Sequence, residues 1–434
     1  MNNLKSSEPV NPQVEALRRA LHAKPPFCSG IFKLHPEGLI LYYGKKGNTD
    51  RIDCANVSED ELRHLAAVCD PATLGRNDQD VYDESYRRAG KLDSSYFAVK
   101  FDPHSCGLLD AIRGDLLEGD KERPIRAELY KLNVYGPGSF FKAHKDTPRG
   151  GDMFGSLVLV YPVKHNGGAL NIQHEDMQWT SDSATLLAGA QEPCVGYTAF
   201  FSDVEHEVTP VVSGYRVTVT YNLYYTTGCD AVPEGEAISI ARNPPANETV
   251  FKTALQTLLQ DESFMASGGT LGFGLRHEYA FDRKDPTKTD LAHFERRFKG
   301  SDAMLFRVCQ SMGLAASVRV LYKVKYRGRI LLDHIVDFNG RWDPEDDLIY
   351  WLKDKYHGTV LASDEDPDEY DEDDYEAMND TDDALHVMWI TQYARQNPMS
   401  MPFMAYGNEA QLKWAYIHLC LIVEVPAAPR AIST

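Results

Sequence analysis

Four side chains have the types and spacing to do metal-centred redox chemistry: His144, Asp146, His206 and Arg216. His144-Lys145-Asp146 is an H-x-D. A strand places residues two apart on one face, so both donors can meet one ion. Two imidazoles and a carboxylate are the donor types of the facial triad that holds non-haem Fe(II) and leaves its other positions open. Arg216 follows His206 by ten residues and stands near the start of the apolar run Tyr215–Tyr225. An arginine in such a strand needs an anion, because burying an unpaired charge is costly. A carboxylate gripped by the guanidinium fork is its best partner. Thr218 and Thr220 share the face of Arg216 by the period of two, so Thr218 can add a hydroxyl to the same anion.

The pattern H-x-[DE] occurs four times: at His35-Pro36-Glu37, at His144, at His174-Glu175-Asp176 and at His293-Phe294-Glu295. A metal held in this way needs a distal histidine brought back by several strands, then an anion partner one strand further on. His35 and His293 have no such downstream set. His174 leaves two strand-like runs before His206, too few to cross a sandwich and return, whereas His144 leaves four. His206 itself lies in SDVEHEVTP, just past the aromatic run YTAFFSD.

The elements that must position these groups begin at Ile125, where the hydrophobic period changes. IRAELYKLNVY, MFGSLVLVYPV, GALNIQH, ATLLAG, YTAFFS and YRVTVTYNLYY read as strands parted by Gly, Pro, Asn and Asp. Short strands at close spacing predict a double-stranded β-helix, or jelly roll, over 125–228. Residues 1–124 read as a helix-rich region packed on that core. They hold helices over 12–23 and 105–118, a third after the Ser58/Glu61 capping box, and two strand-like runs, GIFKL and LILYYG. Residues 229–434 read as an additional α+β region. They contain a helix at SDAMLFRVCQSMG with Ser301 as N-cap, a hairpin turning at Arg327-Gly328, and an acidic disordered loop at 363–384. The fold class is α+β: a jelly-roll core with flanking helices.

The totals agree with a soluble globular chain of one large or two modest domains: 434 residues, 43% hydrophobic and 25% charged. The polar start MNNLKSSEPVNPQ has no secretory h-region, and no apolar run reaches the length of a membrane span. Eight scattered cysteines without a CxxC suit reduced thiols, so a cytoplasmic or nuclear setting is expected. The formal charge is -19, but thirteen acids fall between Asp364 and Asp383, leaving about -6 elsewhere. No basic stripe stands out, which weighs against a nucleic-acid partner. GGTLGFGL lacks the Lys-Ser/Thr of a phosphate loop.

The block from Leu129 to Tyr225 resembles the iron- and 2-oxoglutarate-dependent dioxygenases of the prolyl 4-hydroxylase type. The resemblance is carried by Tyr135-Gly136-Pro137-Gly138, by Phe141-Lys142-Ala143-His144-Lys145-Asp146, and by His206 and Arg216. It implies His144, Asp146 and His206 as ligands of Fe(2+). It also implies 2-oxoglutarate with its far carboxylate on Arg216 and contacts from Thr218 and Tyr135. O2 is then the oxidant, and ascorbate an accessory cofactor. The implied activity is C–H hydroxylation with release of succinate and CO2, on a peptide or protein prolyl residue. Two positions depart from the pattern: Phe141 stands where Tyr is frequent, and Arg216 where collagen-type enzymes have Lys. The related nucleic-acid demethylases carry a second arginine six residues after the first; position 222 is Asn222. Arg149, three residues past Asp146, has two readings: a solvent-facing arginine, or a contact for a substrate carboxylate at the rim. The flanks resemble large fungal members in FKGSDAML and YGNEA. Two other readings stand beside this one. In the first, a degenerate oxygenase fold serves as a protein-interaction scaffold. In the second, a hydrolytic zinc site leaves Arg216 without a task.

Overall fold

The computed structural model describes residues 11–45, 47–76, 79–118, 123–226, 246–324, 328–338, 348–362, 384–393, 397, 407–408 and 413–427. Its contacts divide the chain into two compact units. One comprises 25–240 with 403–415, and the other 1–24, 241–402 and 416–434.

The first unit is a β-sandwich. Its strands, in chain order, are β1 (Phe27–Lys33), β2 (Asp70–Pro71), β3 (Arg87–Arg88), β4 (Gly90–Asp93), β5 (Ile125–Tyr135), β6 (Phe140–His144), β7 (Met153–Val160), β8 (Leu170–His174), β9 (Met177–Ser181), β10 (Cys194–Phe201), β11 (Glu205–Val208) and β12 (Arg216–Tyr225). The larger sheet runs β1-β10-β7-β12-β5-β4-β2 and the smaller β9-β8-β11-β6-β3. Neighbours in both are antiparallel. From β5 onward the chain passes back and forth between the sheets, except for the β8–β9 hairpin, which lies wholly in the smaller one.

The period of two on β5, β7 and β12 decides what each face of the larger sheet does. Leu132, Val134, Leu157, Leu159, Val217, Val219 and Tyr221 lie on one face. They join one apolar cluster with Leu65, Leu108, Ile112 and Leu116 from helices Glu59–Val68 and Leu108–Leu116. The alternate residues Lys131, Asn133, Tyr135, Ser156, Val158, Arg216, Thr218 and Thr220 line a cavity. Burying the first set anchors the sheet, with roughly 1.5–3 kcal/mol of favourable transfer for each large side chain. That anchoring holds the polar set in place.

Several expectations need correcting. Residues from 25 onward do not form a helix-rich layer on the core: β1 extends the larger sheet at β10, while β4 and β2 extend its other side. The helix Pro12–Leu21, by contrast, groups with the second unit. The contact division therefore differs from the expected boundaries near 124 and 229. ATLLAG is a helix, Ser183–Ala188, rather than a strand. Its start is fixed by Asp182, whose carboxylate accepts from the Thr185 backbone N–H (3.2 Å) and hydroxyl (2.6 Å). The short strand β9 was not legible as one. The capping box at Ser58 and Glu61 is present as expected.

The second unit carries helices Pro12–Leu21, Ala246–Gln260 and Gly300–Ser311. Its six-stranded sheet is ordered Thr359–Leu361, Gly328–Leu332, Ala315–Val324, Trp414–Val425, Gly269–Asp282, Met388–Thr391. Ala315–Val324 and Gly328–Leu332 pair antiparallel as expected; the turn residue Arg327 lies outside the described residues. Ser301 is not the N-cap. The helix starts at Gly300 with Lys299 in the cap position, and Ser301 is buried. The acidic run from Asp364 to Asp383 also lies outside the described residues. No described helix is long and apolar enough to cross a membrane.

Candidate metal centre

Antiparallel pairing of β6 with β11 sets His144 directly opposite His206. The imidazole centroids are 4.3 Å apart. His144 Nδ1 lies 2.8 Å from the Lys142 carbonyl oxygen, and His206 Nδ1 lies 3.0 Å from that of Val204. A ring nitrogen facing a carbonyl can only donate, so each ring carries its proton on Nδ1 and presents the Nε2 lone pair. Asp146 follows β6 by two residues. Donor atoms of His144, Asp146 and His206 all lie within 4.8 Å of one another. His206 Nε2 stands 3.9 Å from Asp146 Oδ1, beyond hydrogen-bond distance.

All three groups are buried. Burial, and secondarily the facing His206, holds His144 well below the usual imidazole range, so it is a neutral ligand-type imidazole. Phe141 stacks on His144 with centroids 3.5 Å apart, and Phe200 tilts against His206 at 4.5 Å. Both restrict the rings and keep water from them. Asp146 is oriented from two sides. Ser156 on β7 donates its hydroxyl to Oδ2, and Asn408 donates its amide to Oδ1 at 2.5 Å. Asn408 also accepts from the Thr147 backbone N–H at 3.0 Å. The neighbouring Gly407 exchanges backbone hydrogen bonds with Gly75 in both directions (2.9 and 3.0 Å).

Arg216 and Tyr135 are cross-strand partners on β12 and β5, with the guanidinium carbon 5.5 Å from the Tyr135 ring centroid. Arg216 is buried, its Nε makes no hydrogen bond, and burial lowers its guanidinium from the usual range against the opposing effect of Tyr135. Among the described residues no carboxylate lies within ion-pair distance of it. Gly168 makes room for this side chain: it holds φ +71°, and a Cβ there would stand 3.0 Å from Arg216 Cδ. Thr218 lies in the same cavity wall, and its hydroxyl reaches the Asn133 carbonyl oxygen at a long 3.5 Å.

The fold thus brings together His144, Asp146, His206, Arg216, Thr218 and Tyr135 around one cavity. The other H-x-[DE] sites go elsewhere. His35 accepts from the Glu37 backbone N–H, and His174 Nε2 faces Asp203 Oδ2 at 3.6 Å. Arg149 is exposed and donates to the Tyr130 hydroxyl at 2.7 Å. Residue-level reading missed five cavity groups: Ser156, Arg87, Lys131, Asn133 and Asn408. Lys131 and Asn133 could have been found, since they share the face of Tyr135. Arg87 and Asn408 come from distant segments, and no spacing rule points to them, although Asn408 belongs to the YGNEA stretch noted above.

Residues 130–224 match the 2OG-Fe(II) oxygenase superfamily. A comparison with curated proteins gives no match. Among solved structures the chain is similar to a prolyl-4-hydroxylase from Pseudomonas putida, at 18% identity over 50% of this chain and 100% of that one, with TM-score 0.25. It is also similar to a prolyl hydroxylase from Trichoplax adhaerens in complex with a hypoxia inducible factor oxygen degradation domain peptide. That match has 16% identity over 50% and 94% of the two chains, with TM-score 0.28. The superfamily uses Fe(2+) and 2-oxoglutarate, and the buried two-histidine, one-carboxylate donor set fits that metal.

Proposed function

We propose that this chain, whose residues 130–224 carry a 2OG-Fe(II) oxygenase domain, hydroxylates a C–H bond with release of succinate and CO2, acting on a prolyl residue of a protein. One observation carries the reading. Three lone-pair donors, two of them locked in the Nε2-presenting tautomer, converge within 4.8 Å with no proton between His206 and Asp146. Such an arrangement is repulsive until a cation enters it.

His144, Asp146 and His206 would hold Fe(II). Arg216 would take the far carboxylate of 2-oxoglutarate in its guanidinium fork, with Thr218 and Tyr135 beside it. Bound there, iron and cosubstrate supply the oxidising power for C–H hydroxylation, which the side chains cannot provide. Ser156 and Asn408 hold the Asp146 carboxylate in one orientation, as outer partners of metal ligands do. Phe141 and Phe200 keep the histidine rings dry. The prolyl substrate follows from the resemblance of the His144 motif.

The test is anaerobic addition of Fe(II) and 2-oxoglutarate to the purified chain. The expected result is a visible charge-transfer band and, on admitting O2, succinate. A folded protein showing neither would refute the enzyme reading in favour of a scaffold role.

A further inference from the structure

One arm of chain, residues 161–168, is fastened around Arg216. The Tyr161 N–H donates to the Val217 carbonyl oxygen (3.0 Å), and the Tyr215 N–H to that of Lys164 (3.4 Å), so the residues on both sides of Arg216 are tied to the arm. Strands His165–Gly167 and Val211–Gly214 then pair antiparallel, with His165 opposite Gly214, two residues before Arg216. The approach is close. A Cβ on Gly214, which holds φ +72°, would stand 2.9 Å from His165 Cα. Gly168 closes the arm against the arginine itself, where a Cβ would stand 3.0 Å from Arg216 Cδ.

His165 is the ionisable side chain of this arm that the proposed reaction leaves unused. Its Nδ1 lies 2.7 Å from the Val163 carbonyl oxygen, so Nδ1 carries the ring proton and Nε2 is a lone pair. That Nε2 is buried and makes no hydrogen bond, and Arg216 Nε beside the arm is in the same condition. A buried acceptor without a donor bears its desolvation cost unrelieved. Two charged groups act on the imidazole. One is Arg216 on β12. The other is Asp182, which caps helix Ser183–Ala188, and that helix packs on the His165 strand. Lys164, next in the chain, is exposed. Burial holds the imidazole below its usual range against the Val163 hydrogen bond; Arg216 acts with burial and Asp182 against it.

A carboxylate seated on Arg216 changes this balance. It matches the guanidinium charge and cancels the push that Arg216 exerts on the ring, while the pull of Asp182 persists. The proton affinity of Nε2 therefore rises. Linkage is reciprocal: if the anion favours the proton, the proton favours the anion by the same factor. With no anion, a neutral ring spares Arg216 a second cation beside it. With the anion bound, a charged ring adds to the field that holds it.

We propose that His165 is a positioning residue for the cosubstrate: when the far carboxylate of 2-oxoglutarate seats on Arg216, His165 Nε2 takes up a proton, and the imidazolium strengthens the hold of Arg216 on that carboxylate. The proposal rests on the oxygenase reading and adds a determinant of cosubstrate affinity to it. The proton comes from solvent, which the half-buried ring still meets, and no covalent bond to the cosubstrate forms.

The experiment is calorimetric titration of 2-oxoglutarate into the full chain saturated with Mn(II). It is run at pH 6 in two buffers of different ionisation enthalpy, so that the difference in heat counts protons. At that pH Lys131, brought down to about 7 by burial, is already mostly charged and contributes little. Wild type should take up roughly 0.2 proton or more per 2-oxoglutarate beyond the uptake of His165→Gln. Its affinity should also tighten, relative to that variant, by roughly threefold or more from pH 7.5 to 5.5. The variant serves as the reference that cancels titration of the metal ligands and of 2-oxoglutarate. Asp182→Asn keeps a helix cap and removes the charge, so its uptake at pH 6 should fall below that of wild type. It carries the test if His165→Gln fails to fold, and an uptake equal to that of wild type would then overturn the proposal. Equal uptake by wild type and a folded His165→Gln also overturns it, assigning the proton to another group. So does a loss of affinity in His165→Gln that is the same at every pH, which would make the ring merely structural. Failure of the oxygenase reading looks different: the wild type would give no heat of 2-oxoglutarate binding at any pH.

Discussion

Asp146 in the sandwich unit and Asp302 in the other unit are both buried carboxylates, yet their surroundings differ in kind. Asp302 lies in the first turn of helix Gly300–Ser311 and is saturated by strand Gly269–Asp282. It accepts from the Arg276 N–H at 2.9 Å, the His277 N–H at 3.0 Å and the Tyr279 hydroxyl at 2.7 Å. Asp146 has side-chain donors on each oxygen, but it also faces the lone-pair side of His206. A carboxylate surrounded by N–H and O–H groups is finished by the fold itself. One set against other lone pairs is finished only by a ligand. Burial alone does not separate structural from functional acids; the polarity of what faces them does.

Four substitutions would break or sharpen this contrast, from the largest effect to the smallest. Asp146→Ala should abolish Mn(II) binding by calorimetry and 2-oxoglutarate turnover while leaving the circular dichroism spectrum unchanged; succinate formation by this variant would remove Asp146 from the ligand set. Asp302→Ala should have the opposite profile. It removes the acceptor of two buried donors and one part-buried donor, at a cost on the order of 3–5 kcal/mol, read as a lower denaturation midpoint. A midpoint equal to that of Asp146→Ala would erase the distinction.

Lys131→Met tests the cost of burying an ammonium group. Burial lowers the folded pKa of Lys131 to about 7 from 10.5, so its proton is held more weakly in the folded than in the unfolded state. The penalty is full below pH 7 and fades as pH rises through the interval up to 10.5. The ligand-free variant should therefore be more stable than the wild type near pH 6. Its advantage should shrink by up to about 1.4 kcal/mol per pH unit across that interval. Denaturation series at pH 6, 8 and 10 would check this, and a pH-independent difference would contradict it. Smallest is Asn408→Ala, expected to weaken Mn(II) binding about 10- to 100-fold by freeing one side of Asp146. An unchanged affinity would mean that Ser156 orients the carboxylate alone.

The spacing of His144, Asp146, His206 and Arg216, and the alternation along β5, β7 and β12, could be read before folding because they are local. A strand dictates which residues share a face, and an H-x-D at its end follows from that rule. Short segments were less legible. ATLLAG is apolar enough for a strand, and the cap from Asp182 decided for a helix. Strand count selected His144 over His174 even though one of the counted runs is helical. The reason is that β9 lies on the path from His174 as well, so that histidine still had two strands to cross.

What the sequence by itself determined is that His144 and Asp146 share a strand face, that Arg216 follows His206 by ten residues, and that the central block is a run of short strands, each read from spacing along the chain. Tertiary structure decided that Arg87 and Asn408 belong to the same cavity, the latter 262 residues beyond Asp146. It also decided that Lys131 is buried beside a bulge, and that Asp302 is surrounded by N–H and O–H donors while Asp146 also faces His206 Nε2. These are relations between distant segments. They depend on which side chains face each other after the core has packed, and no local periodicity carries that information.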